Sequence, residues 1–317
     1  MLRIHKGPII VGAIFIALLP WLFGRMPALE HYTPLMVFAG IYCLLTIGLS
    51  LLMGYAGQIS LGHAAFYGIG AYASGVLTIH FGLNPWLCML AGALAAALVA
   101  LAIGTPALKL KGHYLAMATL AFGIIVNIVF REEVRWTGGP DGLVGIPGLS
   151  LFGFAFDAIV KYYYLVWTVV AVAFLFTANL IQSPVGRALR AIHTSEAAAG
   201  AMGIPIARYK VVVFVFAAVL AALAGSLYAH FMNFINPGTF DLFFSIQLII
   251  MITLGGMHSL WGAMIGAILI ALLSFEWLHH FGEWEIVVYG LVLLIVTIFF
   301  PQGLAGLPKM VMERIRR

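Results

Sequence analysis

Charge is scarce in this sequence. Only 9% of the 317 residues are Asp, Glu, Lys or Arg and 63% are hydrophobic, against about 25% and 45–50% in soluble domains. That deficit excludes a water-soluble core and makes the bilayer the natural solvent. Cysteine is nearly absent. Cys43 and Cys88 both fall inside apolar runs, so they read as small buried hydrophobes and not as a disulfide or metal pair. There is no G-x-x-x-x-G-K-[ST] phosphate loop, no H-E-x-x-H, no G-x-S-x-G turn and no His/Cys ligand spacing. The chain therefore carries no ATP site of that kind, no metal site and no recognisable catalytic centre.

What is present is a series of apolar runs. A hydrocarbon core about 30 Å thick needs about 20 apolar residues per helix, and runs of that order lie near 8–23, 35–53, 64–81, 86–104, 114–130, 162–181, 211–232, 242–257, 260–278 and 286–300. Arg3 and Lys6 before the first run resemble a secretory signal, but GRMPALE is a weak cleavage site and further spans follow at once, so a retained first span is expected. The reading is an all-α polytopic membrane protein of about 10 transmembrane helices (8–10), one transmembrane domain over 1–317. Glycine-rich junctions make 64–81 and 242–278 the places where helices break or re-enter, above all a broken segment near 54–63.

Charge orients the chain. With ten spans and both termini inside, the inner segments hold Arg3, Lys6, Lys109, Lys111, Arg187, Arg190, Arg208, Lys210, Lys309, Arg314, Arg316 and Arg317. Only Arg25, Arg131, Arg135 and Lys161 are left outside, as the positive-inside rule requires. Tyr162, Tyr163, Tyr164 and Trp167 then stand at the outer end of the sixth span, where aromatic rings favour the headgroup level.

Two loops are long. The outer one, 131–161, centres on Thr137-Gly138-Gly139-Pro140-Asp141-Gly142, a set of turn signals that suits either a folded connector or a docking surface. The inner one, 182–210, is a basic island. Ser183 caps a helix with Pro184 at its first position, and Arg187 and Arg190 follow on it. Ser195 caps a second helix opened by Glu196. Gly203 supplies a left-handed end, with Ile204 as its hydrophobic contact and Pro205 barring continuation. The last inner segment is a tail, 302–317.

Polar groups inside the runs are few: Gln58, Ser60 and His63 in the glycine-rich break, Asn127 in the fifth span, and Ser245 and Gln247 in the eighth. They either line a path or pack helices together. Gly57-Gln-Ile-Ser60-Leu61 and Gly256-Met-His-Ser259-Leu260 share the pattern Gly-x-x-Ser-Leu, which reads as a recurring helix-junction device.

Six stretches, in order, resemble one family: Gly54–Tyr72, Leu110–Leu120, Thr137–Leu143, Ser183–Ile192, Gly255–Gly262 and Phe300–Leu304. The chain is similar to the permease subunits of branched-chain amino-acid ABC importers, the LivM type, from about Leu35 to Gly306. The resemblance implies a non-catalytic subunit of the bacterial cytoplasmic (inner) membrane that binds no cofactor. Its implied partners are a second homologous permease, two cytosolic ATPases that hydrolyse ATP and an external binding protein. It makes 182–210 the coupling element, with Ser183, Pro184, Gly186, Arg187, Arg190, Glu196, Ala197, Ala198 and Gly203 meeting an ATPase. Gly203 stands one residue later than the common Glu-Ala-Ala-x-x-x-Gly spacing. It also turns Thr137, Gly138, Gly139, Asp141, Gly142 and the 233–241 turn toward the binding protein, and makes Gln58, Ser60, His63, Asn127, Ser245 and Gln247 candidates for the path. A permease for urea, amides or another small metabolite remains an alternative. An autonomous ion-coupled carrier is disfavoured because no Asp, Glu, Lys or Arg falls mid-span, Glu276 lying near the outer end of its helix.

Overall fold

The computed structural model describes residues 31–151 and 153–276, with 19–20, 287–288, 290–291, 294–295, 298 and 303–306 beyond them. Most of the expected spans at 8–23 and 286–300 and of the 302–317 tail lies outside the described residues. Within them the chain is a bundle of helices: α1 (Tyr32–Ser50), α2 (His63–Phe81), α3 (Pro85–Ala107), α4 (His113–Glu132), α5 (Ile159–Gln182), α6 (Pro184–Thr194), α7 (Glu196–Ala201), α8 (Ile206–Met232), α9 (Leu242–Gly255) and α10 (Leu260–Glu276). α1 runs on through a π-helical turn, Leu51–Tyr55. Among the described residues five helices are long and apolar enough to cross a membrane: α1 with its extension, α3, α4, α5 and α8. α2 has 19 residues, and the apolar α9 and α10 have 14 and 17.

α1 and α8 form the centre. α1 packs on α5, α8 and α10, and α8 also packs on α2 and α3. Small residues let these backbones touch. A Cβ on Gly225 of α8 would fall 1.9 Å from the Tyr67 carbonyl oxygen of α2, and one on Gly70 would fall 2.0 Å from that of Ala222. α9 and α10 cross as closely, Gly255 against Gly262 and Gly266 against Met251. This is the packing expected where lipid gives helices no hydrophobic reason to associate and contact area must supply one. α3 and α4 instead show apolar side chains outward, Leu90, Leu94 and Leu98 on one and Met117, Ile125 and Ile128 on the other.

The aromatic cluster on α5 differs from the sequence expectation. Tyr162, Tyr163 and Trp167 are buried and only Tyr164 is exposed. Their polar tips find backbone partners inside the bundle: the Tyr162 hydroxyl donates to Leu227 O (2.6 Å) and Trp167 Nε1 to Met36 O (3.1 Å). A hydrogen-bonded tip lets such a ring fill a helix interface.

The outer loop contains a helical turn and two minimal antiparallel pairs. β1 (Leu143–Val144) pairs with β4 (Phe234–Ile235), and β2 (Ser150–Leu151) with β3 (Phe154–Ala155). Asn233, in the left-handed region at φ 56°, ends α8 and donates to Ile146 O at 2.6 Å. His230 shares hydrogen bonds with Ser74 (2.8 Å) and Pro147 O (2.7 Å). The loop is thereby fastened to the outer ends of α2 and α8.

Candidate functional site

The inner loop folds as two capped helices. Ser183 Oγ accepts from the Val185 amide at 3.1 Å, and Ser195 Oγ accepts from the Ala198 amide at 3.3 Å. Gly186 lies against the Ile181 carbonyl, where a Cβ would come to 2.0 Å, so α6 turns sharply off α5. Arg187 and Arg190 reach back to Gln182 O and Ile181 O at the end of that helix, where exposed carbonyls favour cations. α6 buries Ala188, Leu189 and Ile192. α7 ends in a Schellman motif: Gly203, at φ 79°, donates to Gly200 O (3.0 Å) and Ile204 to Ala199 O (3.1 Å). Ala197, Ala198, Gly200 and Ala201 remain exposed, and Met202 at the tip is 83% exposed.

Glu196 faces the protein. Its Oε1 accepts from Lys210 Nζ at 2.5 Å and its Oε2 lies 3.4 Å from Lys111 Nζ. The Lys210 side chain is only 5% exposed, that of Glu196 28% and that of Lys111 73%. Burial alone would raise the Glu196 carboxyl, but the hydrogen bond from Lys210 and the two ammonium charges outweigh it and hold it below the usual carboxylate range. The carboxylate therefore pins α7 to the start of α8 and to the α3–α4 turn.

The two Gly-x-x-Ser-Leu segments meet beside this loop. Gly57 and Gly256 both take positive φ, 67° and 116°. Ser50 Oγ donates to Met257 O (2.9 Å) and Tyr55 Oη to His258 O (2.8 Å). His193 of α6 touches both segments. Its ring would lie 2.7 Å from a Cβ on Gly57, and it stands edge-on to the His258 ring at 5.5 Å.

From Gly57 the chain turns back into the bundle without regular structure until α2 begins at His63. Leu61 N donates to Thr119 Oγ1 (3.0 Å) and Ala64 N to Ser245 Oγ (3.1 Å). Gln58, Ser60 and His63 are each at most 2% exposed. The Gln58 amide, Ser60 Oγ and His63 Nε2 have no hydrogen-bond partner among the described residues. Unpaired buried polar atoms in this density are unusual.

The 233–241 turn also enters the bundle. Asn127 Nδ2 donates to Pro237 O (2.7 Å), and the buried Phe240 ring packs on Tyr67 and Tyr72 of α2 at 5.0 and 5.7 Å. Tyr67 and Tyr72 lie about 21 and about 14 Å below the outer end of α2 at 1.5 Å per residue. Asp241 follows Phe240 and caps α9, its Oδ1 accepting from Phe244 N at 2.9 Å. Beside it opens a cavity of about 640 Å³ whose lining includes Phe38, Tyr42, Tyr228, Phe244, Asp241 and Gln247.

In the outer loop most of the expected docking residues build the turn. Thr137 is buried and donates to Phe130 O and Glu133 O, while Gly139 N donates to Thr137 Oγ1. Gly138 and Gly142 have φ 77° and 79° and leave no room for a side chain, because their backbones abut Gly142 O and Ile235 O. Asp141 alone of the set has an exposed side chain.

The family model described as the permease component of the branched-chain amino acid transport system matches residues 32–297. The chain belongs to this family. The high-affinity branched-chain amino acid transport permease LivM of Escherichia coli K12 is 33% identical over 292 residues, 85% of this chain and 68% of that protein. LivH of Salmonella typhimurium is 29% identical, covering 84% and 92%. BraD of Pseudomonas aeruginosa is 28% identical, covering 90% and 99%. No solved structure matches. The chain is thus a multi-pass transport permease of the LivM type.

The structure of this permease divides the residues singled out from its sequence. Gln58, Ser60, His63 and Ser245 gather where the broken segment meets α9, whereas Asn127 holds the inserted turn and Gln247 faces the cavity. Lys111, Lys210, His193 and Met202 carry equal weight in the geometry and were not among them, and Asp241 falls only within the 233–241 turn expected to face the binding protein. Lys111 and Lys210 register in a sequence only as topology charges. Asp241 sits beside Asn-Pro-Gly, which reads as a surface turn.

Proposed function

We propose that this chain is the non-catalytic membrane subunit of an ATP-driven importer of branched-chain amino acids in the bacterial cytoplasmic membrane. It works beside a second permease, two cytosolic ATPases and an external binding protein, and holds no cofactor itself. The observation that carries this reading is the inner loop: two capped helices fixed to the bundle by Glu196, with a small-residue face and Met202 offered to solvent. A cleft on an ATPase accepts such a face, and the loop's own hydrogen bonds make it a rigid piece. Movement of α6 reaches the broken segment through His193, which lies against Gly57 and His258 together. The Gln58 amide, Ser60 Oγ and His63 Nε2, buried without partners among the described residues, are the polar groups such a movement would present to a passing zwitterion. Asp141 and the ordered outer loop suit contact with the binding protein. The largely apolar lining of the outer cavity favours a hydrophobic amino acid over urea or an amide.

The test is reconstitution. Gently solubilised, the tagged chain should bring two ATPases with it, and vesicles holding the whole assembly should take up leucine only with ATP and the binding protein. Uptake by this chain alone, without ATP, would refute the proposal.

A further inference from the structure

The turn carrying Asp241 places a carboxylate well below the outer ends of the helices around it. Phe240, its neighbour, packs between Tyr67 and Tyr72, about 14–21 Å down α2. A charge at that depth is costly and calls for a partner. Among the described residues no cation pairs with it: the one hydrogen bond its side chain makes is the α9 cap through Oδ1. Capping does not require the charge, since Asn or Ser caps a helix as well. The carboxylate also borders the cavity of about 640 Å³, within the range of about 300–1,000 Å³ of small-molecule sites. The cavity reaches from Met232 and Phe275 near the outer helix ends to Tyr42, ten residues or about 15 Å along α1. Its walls are largely aromatic and aliphatic, and its one charged group, Asp241, stands at the start of α9, the arrangement of a site that orients an apolar ligand by one charged end.

We propose that this cavity is the first site at which the permease itself holds its substrate, recognised as a primary ammonium joined to an aliphatic group. Asp241 Oδ2 accepts the ammonium, whose positive charge also suits the faces of the Tyr and Phe rings, and the aliphatic group lies among Tyr42, Tyr228 and Phe244. This rests on the importer reading and deepens it: the chain selects the amine directly, in addition to whatever selection the binding protein makes.

The experiment uses the complete importer in detergent without binding protein, and measures tritiated L-leucine binding and its competition by 3-methylbutylamine and 4-methylpentanoate. Asp241→Asn and Asp241→Ser keep the cap and remove the charge. A lost charge-assisted hydrogen bond should weaken leucine binding about ten- to a hundredfold, with the melting temperature of the assembly unchanged. The amine should compete in the native importer and the acid should not. ATP-driven uptake should fall in both variants. Equal competition by amine and acid, or native binding and uptake in both variants, would overturn the site. So would a Phe243→Cys importer that crosslinks to the second permease with leucine excluded from the cavity, since the space would then be a subunit seam. Absence of any leucine uptake by the native importer would instead overturn the importer reading.

Discussion

Replacing Glu196 by Gln separates an internal role of this carboxylate from an external one. The substitution keeps the volume and the backbone of α7 but leaves the ammonium of Lys210, whose side chain is 5% exposed, without its counter-charge. Breaking a buried pair by removing one partner costs about 3–5 kcal/mol. Here the carboxylate is 28% exposed and water screens part of the interaction, so about 2 kcal/mol is the appropriate figure. Lys111, at 73% exposure, adds little. The loss should appear locally, as easier opening of α7 from the start of α8. Hydrogen exchange followed by mass spectrometry on peptides covering 196–204 should speed up about 30-fold, while α1 and α8 keep their protection. Lys210→Met should produce a smaller change, and combining the two should cost less than their sum, because the second substitution removes the stranded charge. If Glu196→Gln abolishes uptake with exchange over 196–204 unchanged, the carboxylate acts on a partner and the internal clasp is the wrong account.

Four further outcomes are expected. The Glu196 carboxyl is held below its ordinary value in the folded chain, so its contribution is fully present above about pH 4.3 and lost as pH falls through the lowered value; protection of 196–204, corrected for intrinsic rates, should be flat from neutral pH to about 5 and fall only below that. Gly203→Ala forces an L-residue to the φ of 79° and should cost about 1–2 kcal/mol of local stability, seen in the same peptides, whereas Gly203→Asn should cost less. His193→Ala removes the ring between Gly57 and His258 and should lower ATP-driven uptake about three- to tenfold with the importer still assembled. Gly225→Ala drives a methyl into the Tyr67 carbonyl and should destabilise the bundle by about 1–3 kcal/mol or more, measured as a lower melting temperature in detergent.

Hydrophobic length and local chemistry made the bundle legible. The apolar runs, the caps at Ser183 and Ser195 and the left-handed end at Gly203 depend on a few consecutive residues, and among the described residues the structure has helices over the runs and both caps and the left-handed end at those positions. The likeness of the two Gly-x-x-Ser-Leu segments pointed to helix junctions, and both glycines do take positive φ. What stayed hidden depends on distant partners. The resemblance names Glu196 as a contact for an ATPase, and nothing local in the sequence announces the pairing with Lys210, fourteen residues on, that the structure has. Tyr162, Tyr163 and Trp167 looked interfacial because amphipathic rings at a span's end usually are. The depth of Asp241 follows from Asn127 holding Pro237 and from Phe240 seated on α2, contacts that no local pattern announces.

The close approach of α2 and α8 has a mechanical consequence. Where backbone meets backbone at Gly70 and Gly225 there is no layer of flexible side chains to absorb displacement, so the two helices are keyed together like gear teeth. α8 is 27 residues long, about 40 Å. It starts at the clasp on α7 and finishes at the turn that holds Asp241. A push on the α7 end of that rod is delivered, with little slack, to the start of α2 at His63 and to the turn beside the cavity at once. Opening below and closing above would then be one stroke of a single part.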